Sequence, residues 1–181
     1  MDENAVKHLE PTNYDVVMFY DYNDLETDFR IEKEYLETNI IAWSMGVMVA
    51  GVKRFPFNGK FVAINGTLKP IDPKYGIHPK IYDLTVESFN EINRNKFIKN
   101  MFENEDIPNS LTVRSIESQK SELVALKNYA ADIEYRSNKV LISNSDKIIP
   151  TKNQCAFWGI EPNLEGGHYP FFNFKKWSEI L

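Results

Sequence analysis

Asn39-Ile40-Ile41-Ala42-Trp43-Ser44-Met45-Gly46-Val47-Met48-Val49-Ala50 reads as a short apolar strand that breaks at Ser44 into an apolar helix. Small residues flank the serine, Ala42 two positions before and Gly46 two positions after. A buried strand that turns sharply into a helix lifts a serine hydroxyl to the sheet edge, the geometry of a nucleophile elbow. Backbone crowds closely there, so bulky flanking side chains clash. The same spacing also occurs in ordinary strand-to-helix turns, and the surrounding sequence has to decide between them.

Outward from this elbow, four further apolar runs read as strands: residues 16–20, 61–64, 139–143 and 158–161. They are nearly continuous in hydrophobicity rather than alternating, as expected of parallel strands covered on both faces. Helical segments lie between them. Residues 25–37 carry Phe29, Ile31, Tyr35 and Leu36 among charges, and residues 45–53 follow the elbow. Residues 119–131 are amphipathic through Leu123, Leu126 and Ala130, while 172–181 are aromatic on one side. Residues 2–9 read as a further helix. Strand alternating with helix predicts an α/β architecture, a mostly parallel sheet flanked by helices with right-handed crossovers.

Residues 68–118 depart from this alternation. They open on turn signals (Pro70, Asp72-Pro73, Tyr75-Gly76, Pro79) and continue into a helical, aromatic and basic run from Phe89 to Phe102. A connection of about fifty residues is far longer than usual and predicts a helical lid inserted into a single domain spanning 1–181.

The 181 residues suit one domain with a sizeable core, and 43% hydrophobic with 13% aromatic content argue against disorder. A net charge of −5 offers no overall attraction to nucleic acid or an anionic membrane. The lone Cys155 rules out an internal disulfide framework and a cysteine-rich zinc site, and reads as a small buried hydrophobe beside Phe157 and Trp158. No metal or cofactor is expected. The first residues lack a basic region followed by an apolar run, and no apolar stretch reaches membrane-spanning length, so a cytoplasmic protein is expected. Asn65-Gly66-Thr67 matches a glycosylation sequon, idle without secretion.

Acyl transfer at neutral pH needs an activated serine, a base to take its proton and a carboxylate to orient the base. In an open parallel sheet these groups gather at the carboxyl ends of strands. Asp146 lies in the loop after strand 139–143, where a turn or helix-cap aspartate would also stand. His168 follows Gly166-Gly167 beyond the last expected strand, and of the three histidines only it completes the order Ser, Asp, His. Ser44, Asp146 and His168 are therefore the expected triad, with the Met45 N–H as one oxyanion donor.

Tyr20-Asp21-Tyr22, Ile41-Ala42-Trp43-Ser44-Met45-Gly46-Val47, Ala63-Ile64-Asn65-Gly66-Thr67 with Pro70-Ile71-Asp72 and Tyr75-Gly76-Ile77, and Phe97-Ile98-Lys99-Asn100-Met101 resemble the BioG-type esterases. The resemblance covers essentially the whole chain and is densest between Tyr20 and Met101. It implies an α/β-hydrolase fold and a pimeloyl-[acyl-carrier protein] methyl ester esterase of biotin biosynthesis. It assigns Ser44 as nucleophile, Asp146 as acid and His168 as base. Family members carry an additional N-terminal strand and a Gly-Trp-Gly loop before the position of Met1, where this sequence departs.

On that resemblance Trp43, Phe89, Phe97, Met101 and Phe102 are expected to wall an apolar channel for the acyl chain, although plain core packing would use the same side chains. Arg94, Lys96 and Lys99 are expected to dock an acidic acyl-carrier protein, a solvated helix face being the plainer use of such charges. The resulting expectation is a serine carboxylic ester hydrolase acting through an acyl-enzyme. Two alternatives stay open: a general carboxylesterase or thioesterase of the same fold, or an inactive domain lacking one strand and one oxyanion donor. Neither nucleic acid nor membrane is an expected partner. Oligomeric state is not legible.

Overall fold

The computed structural model describes residues 1–26, 30–31, 33–102, 112–131 and 134–181. Its centre is a parallel sheet of three strands in the order β1 (Ile40–Trp43), β2 (Phe61–Ile64), β3 (Lys139–Leu141). Ile40 stands opposite Phe61 and Trp43 opposite Ile64, while Val62 to Ile64 face Lys139 to Leu141. α1 (Met45–Lys53) makes the crossover from β1 to β2. Between β2 and β3 lie α2 (Pro79–Glu87), α3 (Glu91–Met101) and α4 (Ile116–Leu126), and α5 (Thr151–Trp158) and α6 (Trp177–Ile180) follow the sheet.

Both faces of the sheet are covered, which is why its strands read as unbroken apolar runs. Alternate β2 side chains enter opposite cores, as the twofold period of a strand requires. Phe61 and Ala63 join Ala42, Val47, Ala50 and Leu68 on the α1 side. Val62 and Ile64 pack on the other side with Met101, Phe102, Tyr169 and Phe171. Helix starts carry matching local chemistry. Asn90 caps α3 by accepting from Asn93 N–H at 3.0 Å, and Ser115 caps α4 by accepting from Ser118 N–H at 3.1 Å.

Several sequence expectations are corrected. Residues 16–20 form no ladder; Val16 and Val17 are exposed, and no described strand pairs with the outer edge of β1. Strand-forming side chains make a strand only where adjacent backbone offers matching donors and acceptors. The described part of 25–37 is not helical; Leu36 is fully exposed at 102% and has nothing to pack on, while residues 27–29 and 32 lie outside the described residues. The expected strand 158–161 is the end of α5, which runs from Pro150 at its N-cap to Gly159 in the left-handed region at φ 71°. Pro and Gly at those positions mark a helix. Strand-like pairing comes later, as a parallel bridge between Ser143 and Leu164.

The two termini are also less helical than expected. Residues 2–9 hold a single 3₁₀ turn, Glu3–Ala5, and the C-terminus splits into a 3₁₀ turn at Phe171–Asn173 and α6. Segment 68–118 contains α2, α3 and the first turn of α4, with 103–111 outside the described residues. α2 and α4 pack together, Tyr82 Oη donating to Leu123 O at 2.8 Å. Cys155 is half-buried on α5; burial, then the Glu161 charge, push its thiol above the ordinary value.

Candidate functional site

Ser44 sits between β1 and α1 with φ 58° and ψ −128°, a positive φ that a non-glycine residue holds only when its surroundings enforce it. The sheet supplies that enforcement. Ser44 N–H donates to Ile64 O at 2.9 Å, and Val47 N–H donates back to Ser44 O at 3.1 Å. Gly66 presses on the elbow from the end of β2: a Cβ there would stand 2.3 Å from Ser44 O. Gly46 admits the Tyr22 hydroxyl, which would lie 2.9 Å from a Cβ.

His168 and Asp146 reach the same point from the other side of the sheet. Ser44 Oγ is 2.9 Å from His168 Nε2, and His168 Nδ1 is 2.8 Å from Asp146 Oδ2. The two partners of the imidazole fix its roles. Nδ1 must donate to the carboxylate, which leaves Nε2 to accept from the serine hydroxyl. Both His168 and Asp146 are buried, with side chains 1% and 0% exposed. Asp146 is held on every side. Its Oδ1 accepts from Ile148 N–H at 2.8 Å and Ile149 N–H at 3.1 Å, and its Oδ2 also accepts from Gln154 Nε2 at 2.8 Å. With His168 Nδ1, that makes four donors fixing one carboxylate in place. Ser44, His168 and Asp146 therefore stand in one unbroken hydrogen-bonded series in this structure.

The Met45 N–H opens α1, where helix N–H groups lack intrahelical partners and the macrodipole favours negative charge. A cavity of about 1430 Å³ adjoins the site, and Ser44, His168, Trp43, Phe89, Phe97 and Met101 all line it. Phe102 does not: it is buried and stacks on Tyr169 with ring centroids 4.5 Å apart, so it is core rather than channel wall.

The expected basic patch is divided. On a helix with 3.6 residues per turn Lys96 and Lys99 lie about 60° apart, while Arg94 points to the far side of the axis. Lys96 and Lys99 are exposed; Arg94 is half-buried and lines the cavity. Among the described residues no cluster of histidine, cysteine or carboxylate side chains suits a metal ion. No helix among them is long and apolar enough to cross a membrane.

Three contributors escaped the sequence reading. Gln154 carries no motif. Trp43 was expected to face substrate, yet its Nε1 donates to His168 O at 2.9 Å. Asn65 stands in a quoted motif with no chemical role attached, and its amide also reaches His168 O, at 3.0 Å.

The fold and site define an α/β protein with a small parallel sheet flanked by helices and a serine, histidine and aspartate in hydrogen-bonded series at its strand ends. The chain belongs to the BioG family: the sequence profile described as "Pimeloyl-ACP methyl esterase BioG" matches residues 2–180. The crystal structure of SeMet-BioG from Haemophilus influenzae superposes with a TM-score of 0.86 at 30% identity, covering 98% of this chain and 88% of that one. An "uncharacterized protein" of Haemophilus influenzae is 31% identical over 194 residues, 98% of this chain and 87% of that protein. A malonyl-[acyl-carrier protein] O-methyltransferase of Bacteroides fragilis is 33% identical over 184 residues. That match takes in 93% of this chain but 37% of the relative, so the chain spans little more than a third of that protein's length.

The last comparison corrects the expected activity. The Bacteroides relative is named for adding a methyl group to a carrier-bound acyl chain, a different reaction from cleaving an ester. That overturns the expectation of a serine carboxylic ester hydrolase, for the pimeloyl methyl ester or for esters in general.

Proposed function

We propose that this chain takes up acyl groups borne by an acyl-carrier protein onto Ser44, within the pimeloyl steps of biotin biosynthesis. One observation carries the reading: the series Ser44 Oγ, His168 Nε2, His168 Nδ1, Asp146 Oδ2 with gaps of 2.9 Å and 2.8 Å. A serine hydroxyl is a weak nucleophile until a base in this position removes its proton. His168 accepts that proton as Ser44 Oγ attacks the acyl carbonyl carbon. Asp146 holds the tautomer and offsets the charge on the imidazolium. The oxyanion develops against the Met45 N–H at the start of α1. His168 then returns the proton to the carrier's thiolate sulfur as the thioester C–S bond breaks, which leaves the acyl chain esterified to Ser44 and the carrier as its free thiol.

The family's description and the Bacteroides relative's name favour a carrier-protein substrate, since both refer to an acyl group on an acyl-carrier protein. The strand-turn-helix at Ser44 favours reading the fold as an α/β-hydrolase fold, with 68–118 as a cap over the cavity. Trp43, Phe89, Phe97 and Met101 would wall the acyl chain, and the exposed Lys96 and Lys99 would meet the acidic carrier.

Intact-protein mass spectrometry tests the reading. Incubation with acyl-carrier proteins of graded chain length should add the mass of the acyl group at Ser44. Ser44→Ala should show none, and His168→Ala should slow capture by about 10⁴-fold or more, as loss of one member of such a unit does. Absence of any adduct, together with no labelling of folded protein by a fluorophosphonate, would refute it.

A further inference from the structure

We infer that Asn65 is a positioning residue that holds His168 in line with Ser44 by gripping the histidine's own backbone carbonyl. The inference rests on the reading of Ser44 as nucleophile and adds a residue that makes no contact with the reacting atoms. Asn65 directly follows β2, is fully buried and has φ 44°, a left-handed conformation uncommon for a side-chain-bearing residue. Its amide protons are shared among three acceptors: Ser143 Oγ at 2.8 Å, His168 O at 3.0 Å and Gly167 O at 3.2 Å. Its carbonyl oxygen accepts from Ser143 N–H at 2.8 Å, which settles which end of the amide is which. Its backbone N–H donates to Leu141 O at 3.0 Å.

One side chain thus ties the end of β3 to the loop that carries the base. The loop needs such an anchor. Gly166, two residues before His168, has φ 102° and gives no stiffness of its own. Trp43 Nε1 supplies a second donor to His168 O, so the carbonyl is clamped from β1 and β2 together. The neighbour of Asn65 acts on the other partner, for Gly66 lies directly against the Ser44 carbonyl. A single turn after β2 therefore sets both Ser44 and His168, and the relay distance depends on it. Buried polar side chains that are fully paired fix one geometry because every alternative leaves a donor or acceptor orphaned.

Two variants separate positioning from bulk stability. Asn65→Gly keeps the left-handed backbone and deletes the amide. Asn65→Asp keeps the shape and the bond from Ser143 N–H but turns the donating amide nitrogen into one oxygen facing two carbonyls. The first readout is the downfield proton resonance of His168 Nδ1–H, which reports its bond to Asp146 whether or not Ser44 reacts. The second is fluorophosphonate labelling of Ser44.

We expect at least one variant to unfold cooperatively as wild type does, yet to lose the downfield resonance and label about tenfold more slowly, the effect usual for partners that orient a reactive group. A folded variant that keeps both signals overturns the inference. Failure of both variants to fold also overturns it, since Asn65 would then serve the fold as a whole. If wild type keeps the resonance but does not label, the proposed function fails, while the resonance still tests Asn65.

Discussion

Gly66→Ala adds one methyl group at the most crowded point of the site. The new Cβ would lie 2.3 Å from Ser44 O, 3.0 Å from Ser44 C and 2.8 Å from Val47 Cγ2. Ordinary contact begins more than about 1 Å further out, so either the Ser44 peptide or the 65–67 turn must retreat by about that distance. Neither is a flexible side-chain end. Overpacking of this kind costs about 1–3 kcal/mol, which a urea slope of about 2 kcal/mol per molar turns into a midpoint lowered by about 1 M. The same displacement would carry Ser44 Oγ, now 2.9 Å from His168 Nε2, out of hydrogen-bond range. Misplacement by about 1 Å typically costs 100-fold in rate, so fluorophosphonate labelling of Ser44 should fall by about that factor. Gly159→Ala is the control: nothing lies within 4 Å of its Cβ, and only the left-handed φ of 71° is strained. It should lose about 1 kcal/mol and label at the wild-type rate. Gly66→Ala with an unchanged urea midpoint and unchanged labelling would refute the reasoning.

Arg114→Ala should destabilise by about 3 kcal/mol, because the guanidinium bridges Glu122 at 2.7 Å and Asp21 at 2.9 Å and its loss strands the largely buried Glu122. Adding Glu122→Gln should recover part of that in urea titration, and no recovery would show that the charge is not the cause. Asp2 is shifted by burial, which raises its carboxyl, and by donors from Val113 N–H and Asn4, which outweigh burial and hold it below the ordinary value. A folded value below the unfolded one contributes stability above about pH 4 and loses it as pH falls further. Asp2→Asn should therefore cost about 1 kcal/mol at pH 7 and progressively less towards pH 3; a constant gap in denaturation midpoints would count against this. Ile64→Ala, wholly buried at the centre of the sheet, should cost about 2–5 kcal/mol, whereas Leu36→Ala should stay within about 0.5 kcal/mol. Equal effects in calorimetry would contradict the assigned core.

The parts of the fold that sequence revealed are those whose pattern is local. β1, α1 and β2 occupy the residues expected because a buried strand, a sharp turn and an apolar helix each leave a contiguous signature over a few residues. Residues 16–20 are an apolar run as β2 is but form no ladder, since pairing depends on a neighbour that composition does not specify. At 158–161 a short apolar run suggested a strand, while Pro150 and Gly159 outlined a helix and were the better guide. The split of Arg94 from Lys96 and Lys99 follows from helical spacing, yet which side faces the cavity depends on how α3 packs.

Chain order alone placed Ser44 and Asp146 past apolar strands, because a strand-to-helix elbow and a loop after an apolar run are written in consecutive residues, whereas the strand expected before His168 is the end of α5. Their convergence within hydrogen-bonding distance belongs to the tertiary structure. It comes from the parallel register of β1, β2 and β3, which sets three carboxyl ends side by side, and from the backbone of residues 167–168 being held by Asn65 and Trp43. Hydrogen bonds of that kind join residues about a hundred positions apart, and no local spacing encodes them.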